Sequence, residues 1–219
     1  MEPITLTTDR LVLRPFVPAD EDEVYAAAQD PAIQRWTLVP SPYERAHAHA
    51  FVNELVPNGW REDTGYPFAV RLGAGGPLVA AVGVHVHGAE SYEIGYWAVK
   101  EHRGQGYMTE AVTAVARWAF TDLGVTRLEW RAELGNEGSK AVAEKAGFQV
   151  EGVLRAGIEQ RGTSRDCWVG ALLPSDLGLP SRLPYLPAVQ REDNPAGRQS
   201  VAEPRPPEPA TSIDVSGPA

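Results

Sequence analysis

The chain has 219 residues, 43% of them hydrophobic and 22% charged, a balance that suits one soluble domain with an extension or at most two small domains. A net charge of −9 argues against bulk affinity for nucleic acid or anionic membranes, and no run of about 18 apolar residues is present to span a bilayer. A single cysteine, Cys167, excludes an internal disulfide framework, and residues 1–5 lack the basic and apolar regions of a secretory signal, so the expected compartment is the cytoplasm.

Residues 10–16 alternate apolar and polar and stop at a proline, predicting a first strand. Pro18-Ala19-Asp20 opens a helix to residue 28 with acids in its first turn. Ser41-Pro42-Tyr43-Glu44 reads as a capping box with proline at the first helical position, leading a helix to about residue 56. Strands over 67–72 and 78–87 flank a glycine-rich turn and form a hairpin, and 92–99 supplies the next strand. A glycine-punctuated basic turn follows, then a helix to about Leu123 that ends at Gly124. A strand over 126–133, a short helix over 136–146, and strands over 148–155 and 166–173 complete the set. The order β-α-α-β-β-β-α-β-α-β-β gives an α/β (α+β) class: a mixed sheet of about seven strands flanked by about four helices.

The domain is expected to occupy 1–173. Beyond it prolines crowd in, at Pro180, Pro184, Pro187, Pro195, Pro204, Pro206, Pro207 and Pro209. Residues 190–219 hold too little apolar surface to repay ordering and are expected to be disordered. The extension is either a plain tail or a partner-binding segment. Lysine occurs only at Lys100, Lys140 and Lys145 against frequent arginine, a codon usage typical of a high-GC bacterium.

The sharpest signal is the join between strand Glu93–Val99 and the helix beginning near Ala111. Gly104 and Gly106 let the backbone approach a bulky anion in conformations closed to other residues. The helix behind them presents unsatisfied N–H groups and its positive end, and Arg103 adds a countercharge. A Walker A loop needs Gly-Lys-Ser/Thr, which is absent, and a dinucleotide fingerprint needs a glycine where Thr109 stands. The turn therefore suits a phosphate-bearing cofactor of another kind.

Glu93 to Ala111 resembles the cofactor-binding core of the GNAT superfamily of acyl-CoA-dependent N-acyltransferases. Residues 136–148, Asn136-Glu137-Gly138-Ser139 through Gly147-Phe148, resemble a second block of its ribosomal-protein-alanine (RimJ/RimL-like) branch, and Thr8-Asp9-Arg10-Leu11-Val12-Leu13-Arg14 matches that branch as well. Glu101 departs from the pattern, where the superfamily prefers Gln or Arg. The resemblance implies a mostly antiparallel sheet with one splayed strand pair forming the acyl-CoA cleft. It implies that the amides of Arg103, Gly104, Gln105, Gly106, Tyr107 and Met108 cradle the pyrophosphate. Trp97, Ala98 and Val99 would pair with the pantetheine arm, Asn136 would bond the cofactor near the thioester, and Ser139 would lie close to the sulfur. The implied activity is acetyl-CoA-dependent N-acetylation of a primary amine, either a protein N-terminal α-amine or a small molecule. The alternative is an acyl-CoA-sensing module that has lost catalysis. A homodimer is compatible with either.

Attack by an amine needs a base, an oxyanion donor and a stable thiolate or its proton source. Glu93 is the candidate base, or else a sheet-edge carboxylate. A backbone N–H at Ala98 or Val99 is the candidate oxyanion donor. With no tyrosine in 136–148, Ser139 is the candidate acid, or else a helix-cap or cofactor-binding residue. Cys167 reads as a buried small hydrophobe. His85 and His87 share one strand face and either line the acceptor cleft or form part of an incomplete metal set; no metal is expected. His47 and His49 read as surface residues. Trp36, Trp60 and Trp97 are candidates to wall the acceptor pocket, and Trp118 and Trp168 to lie in the core.

Overall fold

In the computed structural model, residues 1–87 and 91–187 are described. Eight strands form one open sheet: β1 (Leu6–Thr7), β2 (Leu11–Arg14), β3 (Gly65–Leu72), β4 (Leu78–His87), β5 (Ser91–Ala98), β6 (Leu128–Glu133), β7 (Gln149–Gln160) and β8 (Thr163–Leu172). Their spatial order is β1-β2-β3-β4-β5-β6-β8-β7. Every neighbouring pair is antiparallel except β5 and β6. That parallel pair needs a long crossover, which α5 (Tyr107–Thr121) supplies.

The helix α5 buries Ala111, Val112, Val115, Ala116 and Ala119 completely, the i, i+4 stripe that its sequence pattern predicts. Val82, Val84 and Ile94, alternate residues of β4 and β5, are buried with it. Trp60, Tyr66, Phe68 and Trp118 pack with ring centroids 5.2–5.9 Å apart. Trp60 is therefore a core residue, 1% exposed with its Nε1 donating to the Pro67 carbonyl, and not a wall of the acceptor pocket.

Several elements differ from the sequence reading. Strand β1 is two residues long, too short for periodicity to reveal. Helix α1 (Glu21–Ala28) is followed by an unforeseen α2 (Pro31–Trp36), with Asp30 as N-cap accepting from the Ala32 N–H at 2.9 Å. The expected capping box at 41–44 does not form. The Ser41–Pro42 bond is cis, and the helix α3 (Arg45–Ala50) starts later, with the Glu44 N–H donating to His47 Nδ1. His47 thus works as a cap and is half-buried. The helix also outruns residue 56. At Phe51–Leu55 it widens into a π turn, where the Val56 N–H reaches Phe51, and α4 (Val56–Glu62) takes Pro57 in its first turn, where no donor is needed.

Strands β7 and β8 reach further toward each other than expected, to Gln160 and from Thr163. As an edge strand exposed on both faces, β7 lacks the alternation that would announce it. A bulge interrupts the pair, with Ala156 at φ 53° held by its N–H on Asp166 Oδ1. After β8 the chain makes a 3₁₀ turn, Pro174–Leu177, and packs Leu177 on the core. Residues 190–219, expected to be disordered, lie outside the described residues. Among the described residues no helix is long and apolar enough to cross a membrane.

Candidate active site

Strands β5 and β6 pair only at Tyr92–Leu128 and Glu93–Glu129, then diverge. The direction of each backbone group along the resulting wedge follows from two hydrogen bonds. The Val99 N–H donates to the Val79 carbonyl at 3.0 Å, so odd-numbered residues of β5 aim their peptide groups at β4. Tyr96 and Ala98 therefore face the wedge, whereas Trp97 and Val99 are spent on β4. This removes Val99 as an oxyanion donor and leaves the Ala98 N–H. On the other wall, the Leu134 N–H donates to Asp166, so Arg131 and Glu133 aim their backbone at the gap.

The glycine turn ends β5. Gly104 and Gly106 have φ of 76° and 77°, the left-handed region, and Gly106 is the N-cap of α5. The Glu110 N–H makes the first helical bond, to Gly106, which leaves the amides of Tyr107, Met108 and Thr109 without helical partners. Arg103 does not point over this turn. Its Nε and Nη2 donate to the Ala98 carbonyl at 3.1 and 2.9 Å, and it bonds Asp30, the N-cap of α2. The expected countercharge is instead a structural tie.

Arg10 supports the turn from outside. Its Nη1 donates to the Gln105 carbonyl at 3.0 Å, its Nε to Glu110 at 2.6 Å, and its guanidinium lies 4.7 Å from the Tyr107 ring centroid. Thr8 donates to the same carboxylate. Burial alone would raise the Glu110 pKa, but the bonds from Thr8 and Arg10 hold it below the usual range. A shallow groove of about 1010 Å³ along β1 and α5 meets this turn only at Arg10, Gly106 and its neighbours, and lies apart from the wedge.

On one face of the sheet the wedge is bridged by α6 (Glu137–Lys145). Asn136 caps that helix, its Oδ1 accepting from the Ser139 N–H at 3.2 Å. Trp130 Nε1 donates to Ser139 Oγ at 3.0 Å, Ser139 Oγ to the Tyr96 hydroxyl at 3.2 Å, and that hydroxyl to the Ser139 carbonyl at 2.9 Å. Burial pushes the Tyr96 pKa well up, so it remains a phenol. The sequence reading sought a tyrosine after β6 and missed this one on β5.

Glu93 points to the opposite face, since it is odd in β5 where Tyr96 is even. Its carboxylate lies 3.6 Å from Arg131 Nε and 3.9 Å from His87 Nε2. Burial raises its pKa, and the Arg131 and His87 charges offset this only in part. Helix α2 straps this face. Arg35 makes a two-pronged bond to Glu133 at 2.6 and 2.7 Å and stacks on Trp36, which itself lies against Gly135 beside Asn136. At the β7–β8 tip, Gln160 donates to the Arg35 and Thr37 carbonyls and Arg161 to those of Gln34 and Val39. Cys167 is fully buried and burial raises its thiol pKa, as suits a packing residue. Among the described residues no cluster of three His, Cys, Asp or Glu side chains could hold a metal.

A GNAT acetyltransferase domain matches residues 10–149. The uncharacterised N-acetyltransferase YoaA of Bacillus subtilis is 29% identical over 74% of this chain and 92% of its own. A Vibrio cholerae protein provisionally named a ribosomal-protein-serine acetyltransferase superimposes with a TM-score of 0.71 at 26% identity, covering 80% of this chain and all of that one. Mycobacterium smegmatis RimJ, solved with CoA-disulfide, gives 0.72 at 24% identity, covering 81% and 92%, a likeness of fold. The chain belongs to the GNAT acetyltransferase family and is an N-acetyltransferase with acetyl-CoA as its co-substrate.

Proposed function

We propose that the protein acetylates the α-amine at a peptide N-terminus, with Glu93 as the base at the closed end of the wedge. The observation that carries this reading is the fork itself: the last residue of β5 paired with β6 is a carboxylate of raised pKa, and the strand beyond it leaves the Tyr96 peptide groups and the Ala98 N–H without a strand partner on that side. A carboxylate whose pKa is raised by burial holds a transferred proton more firmly than an exposed one, which suits a base. Acetyl-CoA supplies the thioester. The turn from Gly104 to Met108 holds its pyrophosphate on backbone amides, the Arg103 amide being spent on the Lys100 carbonyl; the Tyr96 backbone guides its arm, and Asn136, with its Oδ1 on the Ser139 N–H, has its amide group left to bond it.

In the reaction the amine nitrogen bonds the acetyl carbon, the C–S bond breaks, and the amine's proton passes to Glu93 directly or through water. The Ala98 N–H faces the developing oxyanion. The departing thiolate takes its proton from solvent, since the Ser139 and Tyr96 hydroxyl protons, on the far side of β5, are spent on the Tyr96 oxygen and the Ser139 carbonyl. Full protonation by Tyr96 is unfavourable, since a thiol near 8.5 is the stronger acid.

A peptide acceptor fits the charge pattern better than a polyamine. Glu133 is matched by Arg35 and Arg165, and Arg131 lies between Glu129 and Glu93, so this face is no acidic sink. The name of the Vibrio cholerae protein points the same way. Calorimetric titration with acetyl-CoA, then thiol release with peptides starting in alanine or serine against small amines, tests the reading. Turnover with peptides supports it; turnover confined to small amines replaces the acceptor, and no binding removes the site.

A further inference from the structure

An amine that arrives as an ammonium ion has three N–H bonds, and the amide it becomes has one. Two protons must therefore leave the nitrogen, and Glu93 accounts for one. The acceptor face holds a second proton acceptor. His85 stands on β4 directly across from Glu93, on the same side of the sheet. Its ring lies flat because both flanking strands carry glycine there. Nδ1 is 3.8 Å from the place a Cβ would take on Gly65, and Nε2 is 3.3 Å from that place on Gly95. The imidazole thus leans from β4 over the stretch of β5 that has already left β6, with Nε2 foremost.

The other histidines on this chain with known contacts are engaged: His47 with the Glu44 N–H, His49 with Glu21, and His87 with Glu93. His85 is exposed on this face of the sheet, lying beside Gly65 and Gly95. Loss of hydration, with His87 adding to it, lowers its pKa below the ordinary imidazole value and keeps a lone pair available at neutral pH. The charged groups around the pair are His87 on β4, Glu93 on β5, and Glu129 and Arg131 on β6.

We propose that His85 is a second base of the acceptor site, taking at Nε2 the proton that converts the incoming ammonium into a nucleophilic amine, while Glu93 takes the second proton as the C–N bond forms. The thiolate leaves with the C–S electron pair; His85 and Glu93 return their protons to solvent or to that sulfur. This rests on the transferase reading above and narrows its acceptor. An imidazole is matched to an α-ammonium near 8 and poorly matched to a lysine near 10.4.

The test is the pH dependence of thiol release with an alanine-initiated peptide, for the full chain and for His85→Gln, Glu93→Gln and Gly95→Ala. For His85→Gln, kcat/KM for the peptide should fall about 100-fold near pH 6, and the loss should shrink above about pH 8, where the peptide arrives neutral. The KM for acetyl-CoA should not change. Gly95→Ala, which crowds Nε2, should show a weaker form of the same profile. A loss that is constant with pH, or no loss, overturns the role of His85 while leaving the transferase intact. If the unaltered protein binds acetyl-CoA yet releases no thiol with any peptide, the acceptor reading fails and His85 falls with it.

Discussion

The Arg103 guanidinium folds back onto the carbonyl of Ala98, closing the end of β5 against its own glycine turn. The same group bonds Asp30, so one side chain joins the glycine turn to the N-terminus of α2, whose other end is tied by Arg35 to β6. Helix α2 thus spans the mouth of the wedge from one wall to the other.

Arg103→Met should therefore act through geometry and not through charge. Both partners are partly exposed, so the expected loss is about 1 kcal/mol, or several-fold in the acetyl-CoA dissociation constant. The slope of affinity against salt should not change, because the lost group does not face a phosphate. Hydrogen exchange in residues 30–36 should quicken. A salt slope reduced by about one charge would return Arg103 to the pyrophosphate.

Ser139 ties Trp130 of β6 to Tyr96 of β5 on that face. Ser139→Ala strands the Trp130 indole N–H and frees the Tyr96 hydroxyl at one side, an expected cost of about 1–3 kcal/mol. Thermal unfolding should shift down by several degrees. Tyr96→Phe leaves the Trp130–Ser139 bond in place and should cost less, about 1 kcal/mol. If the alanine variant loses turnover at unchanged melting temperature, Ser139 serves the chemistry more than the fold.

Asp20 is 2% exposed and receives bonds from Arg14, Arg71 and the Val17 N–H. Burial would raise its pKa, but these bonds and charges outweigh it and the carboxyl stays below the usual range. Because the folded value is depressed, this stabilisation is present above the unfolded pKa near 3.9 and is lost as pH falls through the folded value. Asp20→Asn should cost about 3–5 kcal/mol near neutrality, and less in strong acid, measured by denaturant unfolding across pH. A cost that does not vary with pH would refute the ionic account.

The glycine turn of the candidate site is legible in the sequence because its requirements are local. Two left-handed glycines and a helix N-terminus must be adjacent in the chain, and a reader can find Gly104, Gly106 and Tyr107 in a row. The acceptor half is assembled from a distance. Arg35 meets Glu133 across 98 residues and Gln160 meets Thr37 across 123, and no periodicity marks either pairing. The role of Tyr96 is hidden for a related reason. In the sequence its partner Ser139 is an isolated hydroxyl, since the divergence of β5 from β6 that lets α6 reach across is a property of the sheet. Backbone direction was equally hidden: that Ala98 and not Val99 faces the wedge depends on which peptide groups β4 has already taken.

Glu93 allows stability and activity to be set against each other. Its raised pKa means that the folded state holds the proton more tightly than the unfolded one. Stability therefore declines as pH rises from about 4.3 through the folded value, and the deficit persists above it. Glu93→Gln should thus match or exceed the parent in melting temperature at neutral pH, with any gain reduced by the contact that Arg131 loses. The same change should lower kcat/KM for the peptide about 100-fold or more and remove the Glu93 ionisation from the acid limb of the rate profile, leaving those of His85 and the peptide amine. Both results are needed. A variant that is slower only because it is less stable would show the carboxylate supporting the fold, whereas a more stable and slower one marks a charge held against its own solvation for the reaction.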